Sequence, residues 1–444
     1  MWHNLHMKVS KFTYIDLFAG AGGLSEGFIN EGFTPISHVE KDKFACETLK
    51  TRISYHYLKK VNNLGVYYDY LKNKISKVDF YKIIPDELLN SIICEEISDE
   101  KLEEIESKIG KHNVDLIVGG PPCQAYSIVG RARVRDEEKK NRDPRRFLYK
   151  QYISFLKRYN PKIFVFENVP GILSAKDVDG QLFIEKMRME FQEVGYLIDF
   201  ALLDTSDYGV LQKRKRVIII GWQENLQLSY PDFSTEYIDN DKFEVQKDIL
   251  NDLPNLKQGE SWDKFIYKKE ASDYLKQFSL RSENDVLTWH IARPTNTNDS
   301  QIYKLVIEKW FNEHKRLHYK DLPENLKTQK NQDVFNNRFS VVEGDLPYAH
   351  TVVAHIEQDG HYYIHPDIQQ LRSITVREAA RIQSFPDNYY FEGSRSAAFR
   401  QIGNAVAPVF AQAVARKIKE MLWKISLNQS TQKNKELGPL QGIY

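Results

Sequence analysis

Phe12-Thr-Tyr-Ile-Asp-Leu-Phe18, followed at once by Ala19-Gly-Ala-Gly-Gly23 and Leu24-Ser-Glu-Gly-Phe-Ile-Asn30, sets an apolar strand, a glycine turn and an amphipathic helix end to end. The next apolar segment closes at Val39 with Glu40 behind it, which makes a βαβ start. Strand-like runs recur at Leu116 to Val118, Ile163 to Phe166 and Val217 to Ile220, and helical patterns at Phe147 to Arg158 and Gln181 to Val194 separate them. This alternation predicts an α/β fold, a doubly wound and mostly parallel sheet covered by helices on both faces. A Lys/Glu-rich, helical-looking stretch at about 43–114 is longer than a βα connection needs and reads as an insertion. After Gly221 the rhythm is lost. The region to about Gln370 is rich in Asn, Asp, Tyr and His, as suits a second, smaller domain whose loops meet a partner. Helices are expected at Val376 to Gln383 and at about Val406 to Trp423, with a polar, disordered tail over 426–444.

The charge is nearly balanced, 62 Lys and Arg against 61 Asp and Glu, so nucleic-acid binding has to come from charge placed locally. Eight basic and four acidic side chains between Arg131 and Arg146, and the run Lys213 to Arg216, are such placements. Three cysteines without Cys-x-x-Cys spacing suggest neither a disulfide framework nor a zinc site. No apolar stretch is long enough to span a bilayer and no signal peptide is evident, so a soluble, cytoplasmic protein and a monomer are expected.

Cys123 lies in Asp115-Leu-Ile-Val-Gly-Gly-Pro-Pro-Cys-Gln-Ala-Tyr-Ser127, where a strand runs into two prolines and leaves one thiol at its exit. The cations that follow favour the thiolate, the reactive form. Together with Asp16-Leu-Phe-Ala-Gly-Ala-Gly-Gly23, Glu167-Asn-Val169, Gln212-Lys-Arg-Lys-Arg216 and Gln401-Ile-Gly-Asn-Ala-Val406, this run resembles the DNA cytosine-5 methyltransferases of bacterial restriction-modification type. The resemblance implies a Rossmann-like, S-adenosylmethionine-dependent catalytic domain over 11–222 plus 398–425, and a target-recognition domain inserted at 223–397. It implies methyl transfer to carbon 5 of a flipped-out cytosine in a specific double-stranded DNA sequence, with S-adenosylhomocysteine as product. A cognate restriction endonuclease or a phage-defence system is the kind of companion such an enzyme has.

Carbon 5 of cytosine is a poor nucleophile until a thiolate adds at carbon 6, and the charge that builds toward N3 and O2 needs an acid and a cation in a water-poor pocket. By resemblance Cys123 is the nucleophile, Glu167 the acid and Arg216 the cation, with Arg214 and Gln212 supporting. A glycine loop alone is often only a tight turn, but Glu40 stands twenty residues beyond Gly20, where dinucleotide folds place a ribose-binding acid. The resemblance assigns the cofactor to Phe18, Ala19, Gly20, Gly22, Gly23, Leu24, Glu40, Lys41, Pro121, Asn404 and Ala405. For the acid near the adenine amino group, Glu96 with Ile97 is preferred and Asp69 is the rival. Reaching a stacked base requires flipping it, and Ser127 to about Arg145 reads as the loop that closes on it.

DNA contacts are expected from Gln124, Ser127, Arg131 and Arg133 beside the thiol. In the recognition region they are expected from Arg338, Thr351, His355 and His361. The crowding of His350, His355, His361 and His365 suits base or phosphate contacts better than a metal, and no metal is expected. Two rival functions share these residues: a tRNA cytosine-5 methyltransferase on the same fold, and a catalytically silent DNA-binding regulator. The long recognition region argues against the first, and the presence of both Cys123 and Glu167 against the second.

Overall fold

The computed structural model describes residues 12–122, 148–177 and 179–436. Seven strands form one sheet: β1 (Thr13–Leu17), β2 (Thr34–Glu40), β3 (Ile92–Cys94), β4 (Leu116–Gly119), β5 (Ile163–Asn168), β6 (Tyr196–Asp204) and β7 (Lys215–Gln223). Their order is β3-β2-β1-β4-β5-β7-β6. The first five are parallel, whereas β7 runs antiparallel to both β5 and β6. The central strands β1, β4 and β5 are mostly apolar, interrupted by Asp16 in β1 and by Glu167 and Asn168 at the end of β5, as expected of strands covered on both faces.

One face carries α1 (Gly23–Asn30) and the long C-terminal helix. The other carries α4 (Leu102–Ile109), α5 (Leu148–Tyr159) and α6 (Phe183–Gln192). Between β2 and β3 lie α2 (Lys43–Lys60), α3 (Leu64–Leu71) and two short turns of helix. The stretch at 43–114, expected as an insertion, is therefore the β2–β3–β4 crossover itself, enlarged by α3 and the short helices. Its extra aromatic residues have a use. Tyr55, Tyr67 and Phe80 pack with Val286, Phe265 and Tyr390, and Tyr67 donates to the Asn388 carbonyl at 2.7 Å, so the enlarged crossover braces the region beyond β7.

The described residues from 224 to 375 form 3-10 turns, a π-helical turn (Gln246–Leu250), a short α-helix (Asp273–Gln277), isolated bridges and the longer α7 (Thr297–Glu313), but no strand. Then come α8 (Val376–Ile382), α9 (Arg395–Asn404) and α10 (Pro408–Glu436). The last helix continues through part of the 426–444 tail expected to be disordered, because no glycine or proline interrupts the chain between Pro408 and Gly438. It packs directly on α1: a Cβ on Gly27 would stand 2.4 Å from the Ala411 carbonyl carbon, so only glycine allows the two backbones to approach. This contact returns the C-terminus to the first βαβ unit.

Candidate active site

Strand order reverses between β1 and β4, and an open α/β sheet has its natural crevice outside the strand ends at such a point. A cavity of about 320 Å³ opens there. It is lined by Phe18, Ala19, Gly20, Gly23 and Leu24 after β1, and by Glu40 and Lys41 after β2. Glu96 and Ile97 after β3, Pro121 and Pro122 after β4, Glu167 on β5, Arg216 on β7, and Asn404 and Ala405 at the end of α9 complete it. Residues expected for cofactor binding and for base chemistry thus share one space.

Glu40 organises one end of the cavity. One carboxylate oxygen accepts from the Gly20 amide at 2.8 Å, and the other from the amides of Lys41 at 2.8 Å and Asp42 at 2.7 Å. Burial raises its pKa, and those three amides pull it back. The glycine turn is thereby tied to the end of β2. Phe18 takes a left-handed backbone with φ of 57°, a conformation costly for a bulky residue, and it does so on the cavity wall. Gly22 is not a lining residue. It caps α1 at φ 82°, and a Cβ there would lie 2.7 Å from Leu49 Cδ2.

Glu96 and Lys41 form an exposed ion pair at 2.8 Å across the ends of β2 and β3. The rival Asp69 sits on α3, paired with Lys74 at 3.0 Å, and does not line the cavity. The Gly403 to Val406 segment returns to the glycine turn so closely that a Cβ on Gly23 would come within 2.1 Å of the Val406 carbonyl oxygen.

The sequence reading passed over Asp16. It is the last residue but one of β1 and lines the cavity, 1 % exposed, and neither carboxylate oxygen has a hydrogen-bond partner. Burial, and then the neighbouring charge of Glu40, hold its pKa well above the usual carboxylate range. An orphaned buried acid facing a cavity is a site waiting for a cation or donor. An acid inside an otherwise apolar strand, just before a glycine turn, was the available signal.

At the other end, Glu167 Oε1 lies 2.5 Å from Arg216 Nε, an ion pair whose N–H is not aligned for a hydrogen bond, and Arg216 Nη1 donates to the Lys215 carbonyl at 2.8 Å. Gly120 makes room for this pair, since a Cβ there would stand 2.6 Å from Glu167 Oε2. Cys123, Gln124, Ser127, Arg131 and Arg133 lie outside the described residues.

Gln212 and Arg214 are placed elsewhere. Gln212 donates to Gln383 Oε1 at 2.7 Å and accepts from the Val352 amide at 2.5 Å. Arg214 donates to the carbonyls of Val352 at 2.6 Å and Gly403 at 2.8 Å. Both are buried and do not line the cavity, so they join the segment before β7 to the stretch around Val352, to Gln383 and to α9.

In that region, Thr351 donates its hydroxyl to the Lys213 carbonyl at 2.5 Å, and Arg338 pairs with Asp359 at 3.4 Å. His361 is half-buried against Phe339, with Nδ1 2.9 Å from the Tyr303 hydroxyl. His350 and His365 are likewise engaged, by Glu343 and by Glu378, whereas His355 is exposed on the turn Ala354–Glu357. Among the described residues no group of His, Cys, Asp and Glu is set to hold a metal ion, and no helix is long and apolar enough to cross a membrane.

The profile of the family described as C-5 cytosine-specific DNA methylase matches residues 12–81 and 70–420. The type II methyltransferase M.Bpa9945I of Bacillus paralicheniformis is 40 % identical, over 92 % of this chain and 98 % of its own length. The type II methyltransferase M.DdeI of Desulfomicrobium norvegicum is 31 % identical, over 93 % and 90 %. Among solved structures, a prophage-encoded methyltransferase of E. coli superposes with a TM-score of 0.58 at 22 % identity, covering 93 % of this chain and 99 % of that one. The Dnmt2 methyltransferase of S. pombe superposes with 0.53 at 13 %, covering 94 % and 99 %. These likenesses speak for the shared fold. The breadth of the sequence match and the cavity at the head of the sheet agree: the chain belongs to the C-5 cytosine-specific DNA methylase family.

Proposed function

We propose that this DNA (cytosine-5-)-methyltransferase binds S-adenosylmethionine in the Phe18–Glu40–Asn404 end of the cavity and a flipped-out cytosine at its Glu167–Arg216 end. Activity on DNA follows from family membership and sets aside the tRNA and silent-regulator readings. The observation that carries the proposal is the continuity of the two ends in one cavity. The donor set fits the cofactor. Glu40 has acceptor capacity left for ribose hydroxyls, and the unpartnered carboxylate of Asp16 matches the ammonium of the methionine moiety. When bound, S-adenosylmethionine supplies an electrophilic methyl group.

The chain's own residues prepare the base to accept it. The Cys123 thiolate forms a bond to carbon 6, and the electrons of the 5,6 double bond move toward carbon 5. Glu167 holds the proton at N3, and Arg216 stabilises charge at O2. Their mutual ion pair keeps both oriented before substrate arrives, which is the economical form of electrostatic catalysis. Once carbon 5 carries the methyl group, its proton leaves to water and the carbon–sulfur bond breaks, freeing the thiolate.

The region after β7 would choose the sequence, with His355 and Arg338 as candidate contacts, while Arg131 and Arg133 would meet phosphates. Its relatives are type II methyltransferases, so a partner restriction endonuclease recognising the same duplex site is the natural setting. Bisulfite sequencing of DNA from a host expressing the chain tests the reading. Protected cytosines should appear in one short sequence context, and a conversion pattern identical to that of a host without the gene would refute it.

A further inference from the structure

Three buried arginines are met by carboxylates, and two partly exposed ones are met less fully. Arg52 is matched by Glu26, Arg372 by Glu378 at 2.7 Å, and Arg381 by both Asp252 and Asp387. Each of these guanidiniums is enclosed and its charge is met by carboxylates, as burial of a cation requires. Arg400 and Arg293 are left short. The Nε of each is buried with no hydrogen-bond partner. Arg400 has a long ion pair from Nη1 to Glu357 at 3.5 Å. Arg293 donates from Nη2 to the Ile356 carbonyl and lies over the Phe399 ring, 4.5 Å from its centroid.

Both arginines thus attach to the turn Ala354–Glu357, and Arg400 also lines the cavity that contains Glu167 and Arg216. Burial, and then the nearby charge of Arg395, pull the pKa of Arg293 down to about 10. The other acid of this stretch, Asp359, is paired with Arg338. Arg400 is 43 % exposed, is held by a long ion pair and stands on the cavity wall, where a planar guanidinium can donate a charge-assisted hydrogen bond to an oxyanion.

We propose that Arg400 receives an oxyanion carried in by a substrate, through the donors of its guanidinium, and that it positions that substrate at the cavity mouth. Two sources share this chemistry: a phosphate of the target strand beside the extruded nucleotide, and the carboxylate of the methyl donor. The inference rests on the reading that both ligands enter this one cavity. The turn Ala354–Glu357 belongs to the recognition region, so an oxyanion on Arg400 couples that region to the site of chemistry.

The test uses the full-length protein with Arg400→Met, which keeps the stem, and Arg400→Lys, which keeps the charge. Calorimetry measures S-adenosylmethionine affinity without DNA. Fluorescence anisotropy measures duplex affinity at several salt concentrations. If a phosphate is the ligand, Arg400→Met weakens duplex binding about tenfold and lowers the salt slope by about 0.9, cofactor affinity is unchanged, and Arg400→Lys recovers most of the loss. If the carboxylate is the ligand, cofactor affinity falls by a similar factor and the salt slope stays. Wild-type affinity for both ligands in the two variants would overturn the proposal. So would equal losses in both variants with a lowered melting temperature, the mark of a structural joint. Failure of the one-cavity reading is distinguishable, because it would appear as absent binding by the wild type, and it would overturn the proposal with it.

Discussion

Replacing Asp16 by asparagine should move stability and cofactor affinity in opposite directions. In the free protein both Asp16 oxygens are buried and unpartnered, and burial followed by the charge of Glu40 raises its pKa above the unfolded value. The native state therefore holds this proton to higher pH than the unfolded chain does. By linkage, stability is greatest below the unfolded carboxylate range and falls as pH rises toward the native pKa. Asp16→Asn removes that titration, so the stability gap in favour of the variant should widen from pH 5 to pH 8. An unsatisfied buried polar group costs about 1–3 kcal/mol, which bounds the gain at neutral pH. The cofactor should respond in the opposite sense. Losing a charged partner for its ammonium costs about 1.5–3 kcal/mol, roughly a 10- to 100-fold weaker Kd. Thermal unfolding across that pH range, with calorimetric titration of S-adenosylmethionine, measures both. Unchanged affinity, or a stability gap that narrows with rising pH, would refute the reasoning.

Gly120→Ala drives a Cβ to within 2.6 Å of Glu167 Oε2, so kcat should fall by about 100-fold or more while cofactor affinity holds; single-turnover methylation beside calorimetry would show it. Arg214→Ala leaves the buried carbonyls of Val352 and Gly403 without their donor, at about 1–3 kcal/mol each. Its signature should be a lower unfolding midpoint in denaturant, and a loss of kcat at full stability would return Arg214 to the chemistry. Glu96→Ala should weaken cofactor binding and Asp69→Ala should not, since only Glu96 lines the cavity. Paired titrations decide between them.

Strand, glycine turn and Glu40 were legible in the sequence because each is a local pattern: an apolar run, residues without a Cβ, and a fixed spacing to the next strand end. β3 was hidden because it is only three residues long, Ile92–Cys94, at the sheet edge amid helices. β6 was hidden because its half-exposed residues, with Asp199 in the middle, blur the alternation that marks a strand. The roles of Gln212 and Arg214 could not be read from their run. Their partners, Gln383, Val352 and Gly403, come from far along the chain, and only the folded join reveals whether a side chain faces the cavity or the core. Asp16 shows the converse. Its type and position were plain, but its lack of a partner is a property of three-dimensional surroundings.

In the proposed reaction the cofactor and a cytosine held by a covalent Cys123 adduct meet in this one cavity. This is tested most directly by incubating the protein with S-adenosylmethionine and a duplex carrying 5-fluorocytosine at the target position found by bisulfite sequencing. Fluorine at carbon 5 blocks the final elimination, so the account predicts a stable protein–DNA species that maps to Cys123, requires the cofactor and disappears in Cys123→Ser. Methylation of ordinary duplex with no adduct on the fluorinated one, or an adduct that persists in Cys123→Ser, would contradict it.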